Sequence, residues 1–294
     1  MRPVSCGSGA WLIAAVLSAG AFAASRPASL EDCEEEVRRT PAVADSYRCF
    51  ATVAHRTNQW ERVARRLEAI LAIDPENQIA RWFLARFEAD QGRDRAEQLY
   101  RTAIEALAAT GRRRDETEAR LDFSFFLALR GRLDEADAEI SRAEDLAEGA
   151  GDPVLLGKVR TNQAWQAYRR ADYGRGEVLL RRVEADLFPA GPVQARSTWL
   201  SAMGAICWAM GRYQEARQHY QEQAELLHQT GDLFGEASAR SNISLATAPL
   251  LEAANEQRGK VIDELNETAL AVARAGGNRS VEAKSHLLLG QSPL

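Results

Sequence analysis

The chain has 294 residues, a formal net charge of −5 and 27% charged residues, with both signs interspersed along its length. This balance excludes the extended basic surface that nucleic-acid binding requires. Ala, Leu, Arg and Glu dominate the composition, which favours helix, and we expect an all-α protein.

The first segment, MRPVSCGSGAWLIAAVLSAGAFAAS, has an early Arg, an apolar stretch from Ala10 to Ala19 and an Ala-x-Ala site that ends at Ala23. This order is typical of a secretory signal peptide, which we predict over residues 1–23. The mature chain is then exported, periplasmic or extracellular. The apolar stretch is short for a membrane span, but an uncleaved anchor is an alternative.

Residues 24–41 are predicted to form an N-terminal helix that contains Cys33. Pro41 lies midway between Cys33 and Cys49, so two antiparallel helices that turn there would bring the cysteines to the same height. Exported chains meet oxidising conditions, and the pair is a candidate disulfide. The alternative is two buried thiols, because free Cys packs as a small hydrophobe. Cys207 lies in an apolar stretch and is expected to be a core thiol.

A repeat begins at residue 42. The stretches GRLDEADAEISRAE and GRYQEARQHYQEQA start at Gly131 and Gly211, and the equivalent positions elsewhere are Asn58, Gly92 and Ala171, at spacings of 34, 39, 40 and 40. Gly and Asn tolerate the left-handed backbone that ends a helix. Each position therefore marks a turn between two helices. We predict an array of antiparallel helix pairs over residues 42–294, with an incomplete last repeat.

One stretch, YRCFATVAHRTNQWERVARRLEAILAIDPEN, resembles the tetratricopeptide repeat. The family's Trp, Leu and Gly positions hold Tyr47, Phe50 and Ala51, and its second-helix positions hold Trp60, Val63, Leu67, Ile70 and Pro75. A later unit matches in register at Gly204, Gly211, Ala216 and Tyr220. The fourth unit departs from the family, with Ala171 and Gly176 where Gly and Ala are usual. The resemblance implies a right-handed α-α superhelix, a solenoid of antiparallel helix pairs.

The unit around Pro249 is irregular, because it carries a proline and an insertion of about six residues relative to the other units. Proline in a helix interior costs about 3 kcal/mol, so we predict a kink or break there.

Solenoids bind segments of partners on an extended concave surface, and the first helices line that surface in the tetratricopeptide family. In GKVRTNQAWQAYRRAD, one helix face carries Lys158, Asn162, Trp165 and Arg169, and Asn242 occupies the position equivalent to Asn162 two units later. Asn can bond a peptide backbone, Lys and Arg can meet carboxylates, and Trp can cover aliphatic stems. These five residues are the candidate partner groove. The alternative is that Trp165 belongs to the core and that Lys158 and Arg169 are solvated.

The last stretch, SVEAKSHLLLGQSPL, is predicted to be the first helix of another unit without its second helix. Leu287, Leu288 and Leu289 would then lack a partner helix. Either the chain is the front part of a longer protein, or this helix mediates self-association.

The sequence offers no residues for catalysis, for a cofactor or for a metal. The four His residues are scattered, and neither a zinc-site spacing nor a phosphate-binding Gly loop is present. We therefore predict a protein without catalytic activity, with a protein or peptide partner, no nucleic-acid partner and no membrane contact beyond the signal peptide.

Two further stretches, LAIDPENQIARWFLARFEADQGRDRAEQLYRTAIEALAATG and LLRRVEADLFPAGPVQARSTWL, resemble the repeat arrays that precede caspase-like CHAT peptidase domains in bacteria. The Cys–His dyad of such a domain cannot be carried onto any residue of this chain. Three hypotheses follow: an exported scaffold that binds a protein or peptide, a regulatory or sensor fragment of a larger CHAT peptidase protein, or an assembly factor at a bacterial envelope.

Overall fold

A computed structural model describes residues 29–57, 59–187, 192–251 and 257–289. The predicted signal peptide and the Asn58 turn lie outside these ranges. Within them the chain forms fourteen α-helices and one short 3₁₀ helix, with no β-strand. The prediction of an all-α repeat array is confirmed. None of these described helices combines the length and the apolar character that crossing a bilayer requires.

The helices in chain order are α1 Leu30–Arg39, α2 Ala44–Thr57, α3 Trp60–Ile73, α4 Gln78–Asp90, α5 Arg95–Ala109, α6 Arg113–Leu129, α7 Leu133–Ala150, α8 Pro153–Arg169, α9 Tyr173–Leu187, α10 Val193–Ala209, α11 Tyr213–Thr230, α12 Leu233–Thr247, α13 Gln257–Gly276 and α14 Arg279–Leu288.

Helices α2 to α13 form six consecutive pairs, α1 packs on α2, and α14 packs on α13 and α12. The first helices of neighbouring pairs lie against one another from α2 to α10, and again between α12 and α14, whereas the second helices stand further apart. The layer whose members approach each other more closely is the inner layer of a curved array. The first helices therefore form the concave face, and the curvature brings α13 against α2.

The turns explain the spacing of Gly in the sequence. Within the pairs, the backbone is left-handed at Gly92, Gly131, Ala171 and Gly211, with φ between 59° and 76°. At Gly131 the next amide, that of Arg132, donates to the carbonyl of Leu127 at 3.0 Å and closes the helix end. Ala171 shares this conformation without being glycine, as its place in the repeat predicted. A second set of left-handed glycines lies between pairs, at Gly111, Gly151, Gly231 and Gly277.

Glycine inside a helix marks the closest approaches. A methyl group placed on Gly204 would lie 2.6 Å from the ring of Tyr220, and one on Gly176 would lie 2.7 Å from Ile206. Gly176 thus takes the position that Ala136 and Ala216 hold in their pairs, where both are fully buried. The departure of the fourth unit from the family pattern creates the space that Ile206 fills.

Ion pairs connect successive second helices on the outside of the array. Arg132, just after a turn, binds Glu97 of the preceding pair at 2.7 Å, and Arg212 binds Glu177 at 3.0 Å. Hydrogen bonds from Arg132 and Arg101 lower the pKa of Glu97 to about 2. In the fourth unit Asp172 replaces this arginine. The nearby Arg170 forms the corresponding ion pair there, with Asp134 of the preceding pair at 2.8 Å.

At the N-terminal end the structure joins Cys33 of α1 to Cys49 of α2 in a disulfide, with Cα atoms 5.4 Å apart. The bridge is the first of the two alternatives that the spacing left open. The hydroxyl of Tyr47 donates to the carbonyl of Pro41 at 3.0 Å and accepts from the amide of Asn77, which ties this hairpin to α4. Cys207 is free and buried, as predicted.

At the C-terminal end α12 stops at Thr247 and a 3₁₀ helix, Ala248–Leu250, contains Pro249, so the predicted break is confirmed. On α14, Leu287 is 74% exposed, in line with the expectation of an unpartnered leucine, whereas the neighbouring His286 is buried and lies 3.1 Å from a guanidinium nitrogen of Arg274 on α13. Leu288 has no described side chain, and Leu289 is partly buried.

Candidate groove on the concave face

The groove near the N-terminal helices is lined by charges that satisfy one another. Glu118 of α6 accepts hydrogen bonds from Arg48 of α2 at 2.5 Å and from Lys158 of α8 at 2.7 Å. Burial alone would raise the pKa of Glu118, but the two cations outweigh that effect and hold the pKa below its ordinary value. One carboxylate thus joins side chains from three pairs of the array.

A second polar cluster lies one helical turn further along α6. Asp122 accepts from the indole N–H of Trp82 at 2.8 Å and pairs with Arg86 at 3.2 Å. Desolvation raises the pKa of Asp122, and it raises that of Asp90, on the last turn of α4, to about 6. Neighbouring protein atoms thus desolvate both carboxylates, although each of them is still partly accessible to water.

Towards the C-terminal ends of α6, α10 and α12 the first helices carry apolar side chains. Four large ones remain exposed there, namely Phe125 (49%), Leu129 (65%), Trp208 (40%) and Leu245 (38%). Phe125, Trp165 and Leu245 fall on the same 40-residue grid and hence occupy equivalent positions in α6, α8 and α12. We call Phe125, Leu129, Trp165, Trp208 and Leu245 the apolar strip.

Arg169 lies at the edge of this strip, at the end of α8. Its guanidinium carbon stands 5.2 Å from the centre of the Phe125 ring, within cation–π range. Desolvation lowers the pKa of Arg169, and in the described part of the chain no carboxylate lies within ion-pair distance of it. A partly buried cation is therefore held against an aromatic ring without an anion.

The structure places the five predicted groove residues in different situations. Lys158 is used by Glu118, and the amide of Asn162 donates to the carbonyl of Lys158 at 3.0 Å on its own helix. Trp165 meets Tyr168 edge to face at 5.6 Å and packs partly against the core. Arg169 faces Phe125, whereas Asn242 lies partly buried on α12. Of the alternatives from the sequence, solvation of Lys158 is not what the structure shows.

Four members of the strip were not predicted from the sequence, namely Phe125, Leu129, Trp208 and Leu245. The 40-residue grid was the signal that would have found two of them, because Phe125 and Leu245 repeat the position of Trp165. Among the described residues, no three His, Cys, Asp or Glu side chains are placed to hold a metal ion.

Comparison with known proteins supports the fold. No protein-family model matches the chain, and no curated protein matches it in sequence. The crystal structure of the APC/C hetero-tetramer Cut9–Hcn1 is similar, with a TM-score of 0.61 and 13% identity over 88% of this chain and 45% of that one. A signal transduction ATPase with numerous domains and a tetratricopeptide repeat sensor, from Pyrococcus horikoshii, gives a TM-score of 0.59 and 14% identity over 89% of this chain and 43% of that one.

The chain thus spans less than half the length of either similar protein. At such low identity the likeness bears on the fold alone, and it agrees with the paired helices, the left-handed turns and the concave layer of first helices described above. The chain folds as a tetratricopeptide-repeat-like α-solenoid.

Proposed function

We propose that the chain is a scaffold without catalytic activity of its own that binds a segment of a protein partner on its concave face. The observation that carries this proposal is the apolar strip, four of whose members are 38–65% exposed on the inner layer of helices. Full burial of such a side chain is worth about 1.5–3 kcal/mol, and covering the part that is still exposed is worth roughly half of that. Four such side chains on the surface that solenoids use for binding favour an occupant.

The structural neighbours agree with this proposal. One similar array belongs to a hetero-tetramer and so works within a protein assembly, and the other is described as a sensor. The sensor case also favours a regulatory role as the second candidate, and the sequence resemblance suggests a larger caspase-like CHAT protein as the whole to which such a part would belong. Translation of the genomic sequence downstream of Leu294 distinguishes the two: an open frame with a His and Cys pair on strands favours the second candidate.

Export belongs to the same proposal. It is supported by the signal-peptide pattern of residues 1–23 and by a disulfide between Cys33 and Cys49, which persists in oxidising compartments. Mass spectrometry of the protein secreted from a bacterial host should find a mature N-terminus at Ala24. An intact N-terminus in the cytosolic fraction would contradict export.

Photo-crosslinking tests the binding surface. A benzoylphenylalanine at Leu129, in the strip, should crosslink to defined segments of periplasmic proteins, and the crosslinks should disappear when Trp208→Asp is added. The matched control is the same group at Val178, which is 51% exposed on α9 of the outer layer. Equal crosslinking from both positions, or crosslinks that survive Trp208→Asp, would exclude the concave face as the binding surface.

A further inference from the structure

We infer that Arg169 anchors an acidic side chain of the bound segment, and that this Asp or Glu lies within the segment beside a bulky apolar residue. The inference rests on the proposed function and defines the chemistry of the occupant. It begins from a contrast between the cations of the groove. Arg48, Arg86 and Lys158 each have a carboxylate partner within 2.5–3.2 Å, whereas Arg169 has an aromatic ring.

The environment of Arg169 makes an anion favourable there. Its guanidinium has lost part of its hydration, which lowers its pKa, and the cost of that desolvation is recovered only when the charge is paired. A guanidinium that stacks on a ring through one face keeps its N–H edge for two parallel bonds to a carboxylate. Phe125 contacts Arg169 through its ring and accepts no hydrogen bond from it, so the N–H donors that a carboxylate uses are not taken by the ring.

The charge balance of the groove points the same way. Of the cations Arg48, Arg86, Lys158 and Arg169, only Arg169 lacks a carboxylate within ion-pair distance among the described residues. Glu118 and Asp122 are already paired in the two clusters at the N-terminal side. A carboxylate that arrives at Arg169 therefore meets a positive charge that no group of the described chain neutralises.

The position of Arg169 within the strip selects an internal acidic residue over a chain terminus. Leu129 and Phe125 lie on α6, on one side of α8, and Trp208 and Leu245 lie on α10 and α12, on the other. A segment that covers both sides has to cross α8, and Arg169 at the end of that helix is then beside its middle and not beside its terminus. Its apolar residues then flank the acidic one in sequence, and its terminus lies elsewhere.

The test uses the full mature chain and a random library of ten-residue peptides with amidated C-termini. Peptides that bind the wild type but not the Leu129→Asp variant should carry Asp or Glu next to Phe, Leu, Trp or Met. For one such peptide, Arg169→Gln should weaken binding about tenfold or more, while the Glu→Gln or Asp→Asn peptide should bind both proteins equally. Arg182→Gln, an exposed arginine on α9, is the control and should leave binding unchanged.

The possible outcomes separate this inference from the proposed function. If no peptide depends on Leu129, the proposed function fails and the inference fails with it. The Leu129-dependent peptides could carry no acidic residue, or Arg169→Gln could weaken the neutral peptide as much as the acidic one. Either result would support binding in the groove and show that the role given to Arg169 is wrong. The same library is also screened with free C-terminal carboxylates: if Leu129-dependent peptides appear only there, the anion comes from a terminus and the internal residue is wrong. Arg169→Lys should restore only part of the affinity, because Lys cannot form the bidentate bond.

Discussion

At the scale of single residues, the repeat is maintained by backbone conformation as much as by side chains. The intra-pair turns need a left-handed residue, and three of the four described ones use glycine. Ala171, at φ 59°, adopts the same conformation with a side chain that disfavours it. The turn at Ala171 is therefore strained, and the turns with glycine are the unstrained structures with which it can be compared.

Ala171→Gly should stabilise the protein. Relief of the left-handed strain is worth about 1–2 kcal/mol, and the added freedom of the unfolded chain offsets part of it, so we expect a net gain of about 0.5–1 kcal/mol. Urea unfolding followed by circular dichroism measures the change. Gly131→Ala is the control and should lose about 1 kcal/mol. A loss of stability in Ala171→Gly would show that this turn is not strained.

Gly204→Ala should destabilise the protein although alanine is the better helix former. The new methyl group would meet the ring of Tyr220 at 2.6–2.9 Å, and overpacking of this kind costs about 1–3 kcal/mol. Gly174→Ala on α9 meets nothing within 4 Å and should be neutral or stabilising by up to about 1 kcal/mol. If both variants gained stability equally in thermal unfolding, the close approach of α10 and α11 would be refuted.

Asp90→Asn should stabilise the protein at neutral pH. The folded pKa of Asp90 is raised by desolvation to about 6, from an ordinary 3.8, despite attraction by Arg86 and with added repulsion from Asp122. The wild type therefore bears no penalty below pH 3.8, and the full penalty is present above about pH 6. The gain of the variant should grow between these limits and then level off, at about 1 kcal/mol or less, because solvent screens this exposed carboxylate. A gain in stability that is largest at about pH 4 and falls as the pH rises would contradict a raised pKa of Asp90.

At the scale of elements, the helices were predictable from the sequence because each boundary has a local cause. Left-handed turn residues end the helices, and α12 stops at Thr247, two residues before Pro249, which lies in the 3₁₀ helix that follows. The contacts of the groove were not predictable. Arg48 and Glu118 are 70 residues apart, and Arg169 and Phe125 meet across two helices, so both contacts depend on the curvature of the array.

The first hairpin is the element whose stability depends most on a covalent bond. The disulfide between Cys33 and Cys49 closes a loop of about 15 residues, worth about 3 kcal/mol from loop-closure entropy. In denaturant without reductant, the mature chain should therefore show one reactive thiol, that of Cys207. Cys33→Ser with Cys49→Ser should lower the free energy of unfolding by about that amount. Three reactive thiols in denaturant would show that the bridge does not form.

At the scale of the whole molecule, the curvature is maintained by contacts that skip a pair. Glu118 of α6 binds Arg48 of α2, two pairs away in the array, and α13 comes round to lie against α2. In an ordinary solenoid each repeat contacts only its neighbours and stability is nearly a sum of local terms. In this array, removal of one side chain in the middle should therefore also destabilise the first helices of the chain.

Glu118→Gln should loosen α2 in particular. The carboxylate is only 11% exposed, and its removal leaves Lys158 without its anion and Arg48 with only the exposed Asp45 on its own helix, at a cost of about 2 kcal/mol. Hydrogen exchange should accelerate at the amides of α2 more than at those of α10 and α11. Glu68→Gln, which removes an exposed pair with Arg95, is the control and should change stability by less than about 0.5 kcal/mol.

The pH dependence of the same variant provides a second check. The folded pKa of Glu118 lies below its ordinary 4.5, so the stability that the ionised carboxylate contributes is present above pH 4.5 and is lost as the pH falls through the folded pKa. The difference between wild type and Glu118→Gln should therefore shrink in acid. A difference that persists at low pH, or exchange that accelerates equally along the whole chain, would mean that Glu118 supports only its local packing and that the curvature has another origin.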